Sequence, residues 1–313
     1  MDGKTLYLVI PCYNEEKVLG ETKKRLKEKM SALLESGRIA PDSKVLFVND
    51  GSKDRTWQII QELNSGDKLF RGVSLSRNKG HQTALYAGLM VAKEYCDVAI
   101  SLDSDLQDDV NAIDEFLDRF YEGNDIVYGV RKDRTNDSGF KRATAESYYK
   151  LLGVMGVNVV FNHADYRLMS KRALDALAEF REFNLFLRGM VPTIGFKTAT
   201  VEYVRFERFA GESKYPLKKM LALAWDGITS FSTTPIKMIT IAGFVIMAVS
   251  ALSLIGFLIA AICGKYLGLW PLNSSIWLLG SLILTAIGII GEYVGKNYSE
   301  TKRRPRYFID RIL

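Results

Sequence analysis

Histidine and cysteine are scarce in this 313-residue chain: His81 and His163 are its only histidines, and Cys12, Cys96 and Cys263 its only cysteines. Two histidines exclude a histidine-rich metal centre. The thiols are odd in number, far apart and outside any Cys-x-x-Cys pairing, which argues against a zinc site and for free thiols in a reducing compartment. No RNP-type aromatic strand or Cys/His finger is present, so the formal charge of +6 is not read as a nucleic-acid footprint. Nothing at the N-terminus resembles a signal peptide, because Leu6 to Ile10 is too short and leads straight into a polar loop. Internal repeats and low-complexity linkers are also missing.

Charge itself is absent from two long stretches. Between Met238 and Cys263, and again between Tyr266 and Gly291, no residue is charged. Mean hydropathy is near zero although a quarter of the residues are charged, so apolar residues must be concentrated, and they are concentrated here. Each run is long enough for a helix to cross about 30 Å of hydrocarbon. The expectation is a two-helix hairpin over 236–298, with a short loop near Gly264 to Ser275. Lys214, Lys218, Lys219 and Lys237 precede it, and Lys296, Lys302, Arg303, Arg304, Arg306 and Arg311 follow it. Basic flanks on both sides predict both ends in the cytoplasm, beside anionic lipid. Residues 214–235, with Leu217, Met220, Leu221, Leu223, Ala224, Trp225 and Ile228, read as a juxtamembrane amphipathic helix, and 299–313 as a basic cytoplasmic tail. Gly291 and Gly295 keep a small-xxx-small spacing that points to helix pairing and a homo-oligomer.

The remaining 1–213 alternates strands and helices. Leu6 to Ile10, Val45 to Val48 and Asp97 to Leu102 are apolar runs, and each stops at a polar, acidic loop followed by a helical pattern. An open, mostly parallel sheet lines a ligand crevice in this way at its carboxyl edge. The third loop carries Asp103, Asp105, Gln107 and Asp108. Carboxylates this close repel unless a hard cation lies between them, and oxygen donors are what Mg²⁺ or Mn²⁺ prefers. The remaining helices are expected over Lys17–Ser36, from Asp54, over His81–Ala92 and over Val110–Tyr121, with strands at Val73–Leu75 and Ile126–Val130.

The runs Val9-Ile-Pro-Cys-Tyr-Asn-Glu15, Val48-Asn-Asp-Gly-Ser-Lys-Asp54 and Leu102-Asp-Ser-Asp-Leu-Gln-Asp108, in this order and spacing, resemble the family 2 glycosyltransferases of GT-A fold. More narrowly, they resemble the polyprenyl-phosphate glycosyltransferases, the group of dolichyl-phosphate mannose synthase and the bactoprenol glucosyltransferases. The resemblance covers Leu6 to Tyr215 and extends to the tail by architecture. It implies a Rossmann-like sheet with flanking helices followed by two transmembrane helices, in a multi-pass cell-membrane protein with its catalytic domain on the cytoplasmic side.

For the site, the resemblance implies that Asp105 is a direct metal ligand, that Gln107 is a second, and that Asp103 binds either the nucleotide ribose or the metal. Pro11, Tyr13, Glu15 and Asp50 fall where the family holds base and ribose. Asp54 is either part of that site or a helix cap. Arg131 and Arg142 match positions that contact acceptor phosphate, a task suited to guanidinium forks. Arg208 and Lys214 would approach the diphosphate or lipid phosphate. Asp165 matches an aspartate near the reaction centre, as a base or only as an orienting group, with Arg167 its expected partner. Where many relatives carry proline after the metal loop, this chain has Asp108, Asp109 and Val110, which blurs the subfamily and hence the sugar.

The resemblance therefore implies an inverting, metal-dependent transfer of one sugar, glucose or N-acetylglucosamine, from a UDP-sugar to undecaprenyl phosphate. The lipid-linked product would feed a downstream flippase and a second transferase that modifies wall or surface polysaccharide. A processive synthase is disfavoured by the lack of a Gln-x-x-Arg-Trp motif, and a soluble nucleotidyltransferase by the lack of a Gly-rich, Lys-containing phosphate loop. A non-catalytic membrane scaffold stays open as the rival class, as do GDP-mannose and UDP-galactose as donors.

Overall fold

The computed structural model describes residues 3–105, 107–132, 163–183, 185–206, 229, 232–264 and 270–313. They fall into two compact units, one of residues 1–149, 158–216 and 304–313 and the other of 150–157 and 217–303.

The first unit is built on an eight-stranded sheet. In chain order its elements are β1 (Leu6–Cys12), α1 (Leu19–Glu35), β2 (Lys44–Asn49), α2 (Thr56–Gly66), β3 (Phe70–Leu75), α3 (His81–Ala92), β4 (Val98–Ser101), α4 (Ile113–Tyr121), β5 (Ile126–Arg131), β6 (His163–Ser170), α5 (Lys171–Ala178), α6 (Leu187–Thr193) and β7 (Thr198–Tyr203). A closing strand, β8 (Ile309–Ile312), follows the second unit. The sheet order is β7-β5-β6-β4-β1-β2-β3-β8. Here β6 and β8 run against their neighbours, and the other pairings are parallel.

Every residue of β1 is buried, as is all of β2 after Lys44, which is why these strands read as unbroken apolar runs instead of alternating ones. Helices cover both faces. On one side α3 lies so close that a Cβ on Gly88 would sit 2.5 Å from methyl groups of both Val9 and Val48. Gly37, at φ +67°, ends α1 in the left-handed turn typical of a helix C-terminus.

In the second unit α7 (Thr234–Ile262) and α8 (Trp270–Thr301) occupy the two expected apolar stretches. Among the described residues, one segment is long and apolar enough to cross a membrane, Leu278–Thr301 of α8, and none of its residues is buried. Thr234–Ile246 of α7 is a shorter apolar segment by the same measure. The expectation of two spans is thus met by one qualifying segment. Residues 214–228 and 230–231 of the expected juxtamembrane helix lie outside the described residues.

The C-terminal stretch differs from the basic tail read from its charges. Val73 pairs with Ile312 and Leu75 with Ile309, while Leu313 N donates to the Gly72 carbonyl at 2.8 Å. Two charges, Asp310 and Arg311, between Ile309 and Ile312 suit a short, charged edge strand, and it closes the flank of β3.

Candidate active site

The strand order reverses at β1, which pairs with β2 on one side and β4 on the other. The crevice at the carboxyl ends of those strands is where an open α/β sheet binds ligands. Because β6 is antiparallel to β4, with Ser101 opposite Arg167, its N-terminal half reaches the same edge and brings Asp165 there. Ser101 Oγ donates to the Asp165 carbonyl and fixes that register.

The loops after β1 and β2 are stitched together. Asn14 adopts a positive φ of 56°, its N–H donates to Ser52 Oγ at 3.0 Å, and its Oδ1 accepts from Lys53 N at 2.9 Å. Glu15 N donates to Thr56 Oγ1 at 2.8 Å. A cleft of about 490 Å³ opens between them, lined by Asn14, Glu15, Glu16, Lys17, Lys53 and Asp54. Asp54 does more than cap: it accepts from Thr56 N at 3.0 Å and also from Glu16 N at 3.2 Å in the other loop. Asp50 is buried, and its two oxygens accept from Lys79 N at 2.7 Å and Gly80 N at 2.9 Å. Burial raises its pKa against those two bonds, which lower it. Pro11 is buried in β1, whereas Tyr13 is exposed at the crevice.

Beneath the Asp103 loop lies a charge hub centred on Asp165. Arg188 grips this buried carboxylate with two nitrogens, Nε at 3.3 Å from Oδ1 and a terminal nitrogen at 3.1 Å from Oδ2. Gln82 Nε2 donates to Oδ2 at 3.0 Å, and His81 Nε2 lies 3.7 Å from Oδ2 and 3.6 Å from Asp103 Oδ1. Burial pushes the Asp165 carboxyl up, but Arg188, His81 and Arg167 outweigh it and hold the group well below the usual range. Burial would lower His81, yet Asp165 and Asp103 raise it to about 9. The Asp103 carboxyl is raised by burial and by its Asp165 and Asp105 neighbours, against the charge of His81.

Arg167, expected as the partner of Asp165, makes no hydrogen bond to it among the described residues. Its guanidinium is buried and donates to the Leu187 carbonyl at 3.4 Å, at the start of α6. Arg188, the next residue, takes the carboxylate instead, since its side chain reaches the hub from α6 with both fork nitrogens.

The carboxylate loop is tied at both ends. Thr22 Oγ1 of α1 donates to the Ser104 carbonyl at 3.0 Å, and Gln107 N donates to Asp105 Oδ1 at 3.2 Å. Asp108 is buried and accepts from the Tyr203 hydroxyl at 2.8 Å. Burial first, then the Asp103 charge, pushes the Asp108 carboxyl up to about 6. Arg131, at the end of β5, shares this corner with Tyr203 and Asp108, which raise its pKa against burial. Gln107 is turned toward Arg205 and Phe206, the residues just after β7. Among the described residues no three His, Cys, Asp or Glu side chains form a closed metal cage. Arg142, Arg208 and Lys214 lie outside the described residues.

Sequence reading missed His81, Gln82, Arg188, Tyr203 and Arg205. One signal was available for the first: His81 is one of two histidines and opens a helix directly after the polar run Asn78-Lys79-Gly80. Gln82, Arg188 and Tyr203 sit in ordinary helical or strand contexts and Arg205 just past a strand, and only the sheet topology brings them to the crevice.

The family model for glycosyl transferase family 2 matches residues 7–178. An uncharacterized glycosyltransferase of Bacillus subtilis, YkoT, is 52% identical over 306 residues, covering 97% of this chain and 91% of its own. The prophage bactoprenol glucosyl transferase homolog of Escherichia coli is 38% identical over 308 residues, covering 97% and 98%. The bactoprenol glucosyl transferase of Shigella phage SfV is 38% identical, covering 96% and 97%. Among solved structures, a mannosyltransferase from Pyrobaculum calidifontis in complex with GDP-Man and Mn²⁺ is 15% identical with a TM-score of 0.45, covering 92% and 87%. On the family match and these near-full-length relatives, the chain belongs to glycosyl transferase family 2 and is a glycosyltransferase.

Proposed function

We propose that this enzyme moves a single glucose from a UDP-sugar to undecaprenyl phosphate, with inversion, at the cytoplasmic face of the membrane. The observation that carries this reading is the extent of the likeness to the bactoprenol glucosyl transferases: it runs over 308 residues and takes in the apolar C-terminal third as well as the sheet. A polyprenyl acceptor needs both parts.

Chain connectivity supports a two-span hairpin. The described residues of the first unit run as far as Phe206 and resume at Arg304. A folded unit lies on one side of the membrane, so the intervening segment crosses an even number of times, and the span at Leu278–Thr301 calls for a partner in α7.

The donor set suits Mg²⁺ or Mn²⁺, because Mg²⁺ in particular takes one or two carboxylates plus substrate phosphate oxygens and needs no closed protein cage. Asp103 and Asp105 would hold it, and it would offset the charge that develops on the departing diphosphate. Tyr13, Glu15 and the cleft between the first two loops would receive base and ribose. Arg131, with Arg142, would hold the acceptor phosphate, with Arg208 and Lys214 near the phosphates. One acceptor oxygen bonds the anomeric carbon while the carbon–oxygen bond to the diphosphate breaks, and UDP leaves with the electron pair. No proton has to move, since the acceptor phosphate is already ionised. Asp165 then serves as an anchor: its carboxylate is committed to Arg188, Gln82 and His81 and held below the range of a general base.

Incubating the purified protein with radiolabelled UDP-glucose, UDP-N-acetylglucosamine, UDP-galactose or GDP-mannose and undecaprenyl phosphate tests the reading. UDP-glucose should label the lipid fraction. Labelling from another donor alone would move the sugar assignment, and labelling from none would remove the acceptor.

A further inference from the structure

Both ends of the Gln107 side chain are engaged by the segment that follows β7. Its Oε1 accepts from a terminal nitrogen of Arg205, and its Nε2 donates to the Phe206 carbonyl at 3.3 Å. The backbones are joined as well: Phe206 N donates to the Gln107 carbonyl at 2.8 Å, and Asp108 and Arg205 form an antiparallel bridge. Tyr203, three residues before Phe206, donates to Asp108. The carboxylate loop and residues 203–206 thus form one short ladder, with the Arg205 guanidinium seated on the Gln107 amide oxygen.

A guanidinium and a divalent cation bonded to one amide oxygen would repel each other at contact distance, even at this exposed corner of the loop. We propose that Gln107 is a latch with two mutually exclusive partners: Arg205 holds its Oε1 in the arrangement seen here, and a divalent cation on Asp103 and Asp105 competes for that oxygen. This rests on the reading that those two carboxylates hold the cation. Capture of Gln107 by the cation releases the Arg205 fork, whose planar donors match phosphate oxygens. Cation loading and the arrival of a second positive group at the diphosphate are then a single event. The backbone bonds between Gln107, Asp108 and residues 205–206 do not need to break, so the loop keeps its position as the side chain changes partner. Arg205 on this account has two roles: it holds Gln107 while the site is empty and meets the diphosphate once the cation has taken that oxygen.

The test is Mn²⁺ binding to the full-length protein in detergent, read from the electron paramagnetic resonance signal of free Mn²⁺, with and without UDP. Four proteins are compared: wild type, Arg205→Lys, Gln107→Met and the double variant. Lysine keeps the charge but loses the fork, and methionine keeps the length but loses the oxygen. Arg205→Lys should tighten Mn²⁺ without UDP by about 5-fold, the size of coupling common between touching residues, and the gain should vanish in the Gln107→Met background. Arg205→Met repeats the comparison in case lysine re-forms the contact, and it should again act only when Gln107 is present. An equal change in both backgrounds, or none in either, overturns the latch while leaving the cation site intact. If wild type with UDP binds no Mn²⁺, the cation reading falls and the latch falls with it.

Discussion

Protonated His81 should stabilise the fold in a pH-dependent way, and His81→Gln exposes how much. Its ring lies between Asp103 and Asp165, which raise its pKa from 6.5 to about 9 against burial and Arg188. A group whose folded pKa is raised contributes fully below its unfolded pKa and loses that contribution as pH climbs through the folded value. The window is therefore pH 6.5 to about 9. At 1.36 kcal/mol per unit the unscreened contribution is about 3 kcal/mol. The side chain is 44% exposed, so solvent screening reduces it to roughly 1 kcal/mol. For a domain of this size that corresponds to about 2–4 °C in Tm. Thermal unfolding of wild type and His81→Gln, in detergent with EDTA and without nucleotide, should show wild type ahead near pH 6. The gap should narrow by this amount above pH 9. A gap that stays constant, or widens toward alkaline pH, would refute the charge placement.

Two further changes test the frame around the crevice. Asp165→Asn removes the charge that compensates Arg188, His81 and Arg167, and since Arg188 is partly exposed the loss should be about 2–3 kcal/mol, below the full cost of breaking a buried pair, read by urea unfolding. Gly51→Ala should cost about 2 kcal/mol or more and weaken UDP binding by calorimetry: the residue sits at φ +63°, and an added Cβ would lie 2.5 Å from Asn78 N.

Much of this architecture was legible in the chain. The apolar runs of β1, β2 and β4 and the acidic loops after them reported a sheet with its crevice at the carboxyl edge, because strands buried on both faces leave no polar residues to confuse the pattern. The helix over His81–Ala92 matched residue for residue. The Asp165 hub was not legible, since α3, β6 and α6 meet only through the antiparallel insertion of β6 beside β4. Arg167 is the partner expected for Asp165, yet the carboxylate's hydrogen bonds go to Arg188, more than twenty residues on. The C-terminal strand was hidden for another reason: four residues with two charges carry too little pattern to distinguish an edge strand from a basic tail.

The central claim is that the Asp103–Asp105 loop drives sugar transfer to a lipid phosphate. Its most direct test is formation of lipid-linked glucose from UDP-glucose and undecaprenyl phosphate by wild type and Asp105→Asn, each with Mn²⁺ and with excess EDTA. The account predicts product only from wild type with the metal, and a variant that melts like wild type yet transfers at least a thousandfold more slowly, the scale of about 4 kcal/mol of transition-state charge stabilisation. Transfer by Asp105→Asn at the wild-type rate, or wild-type transfer unaffected by EDTA, would contradict it.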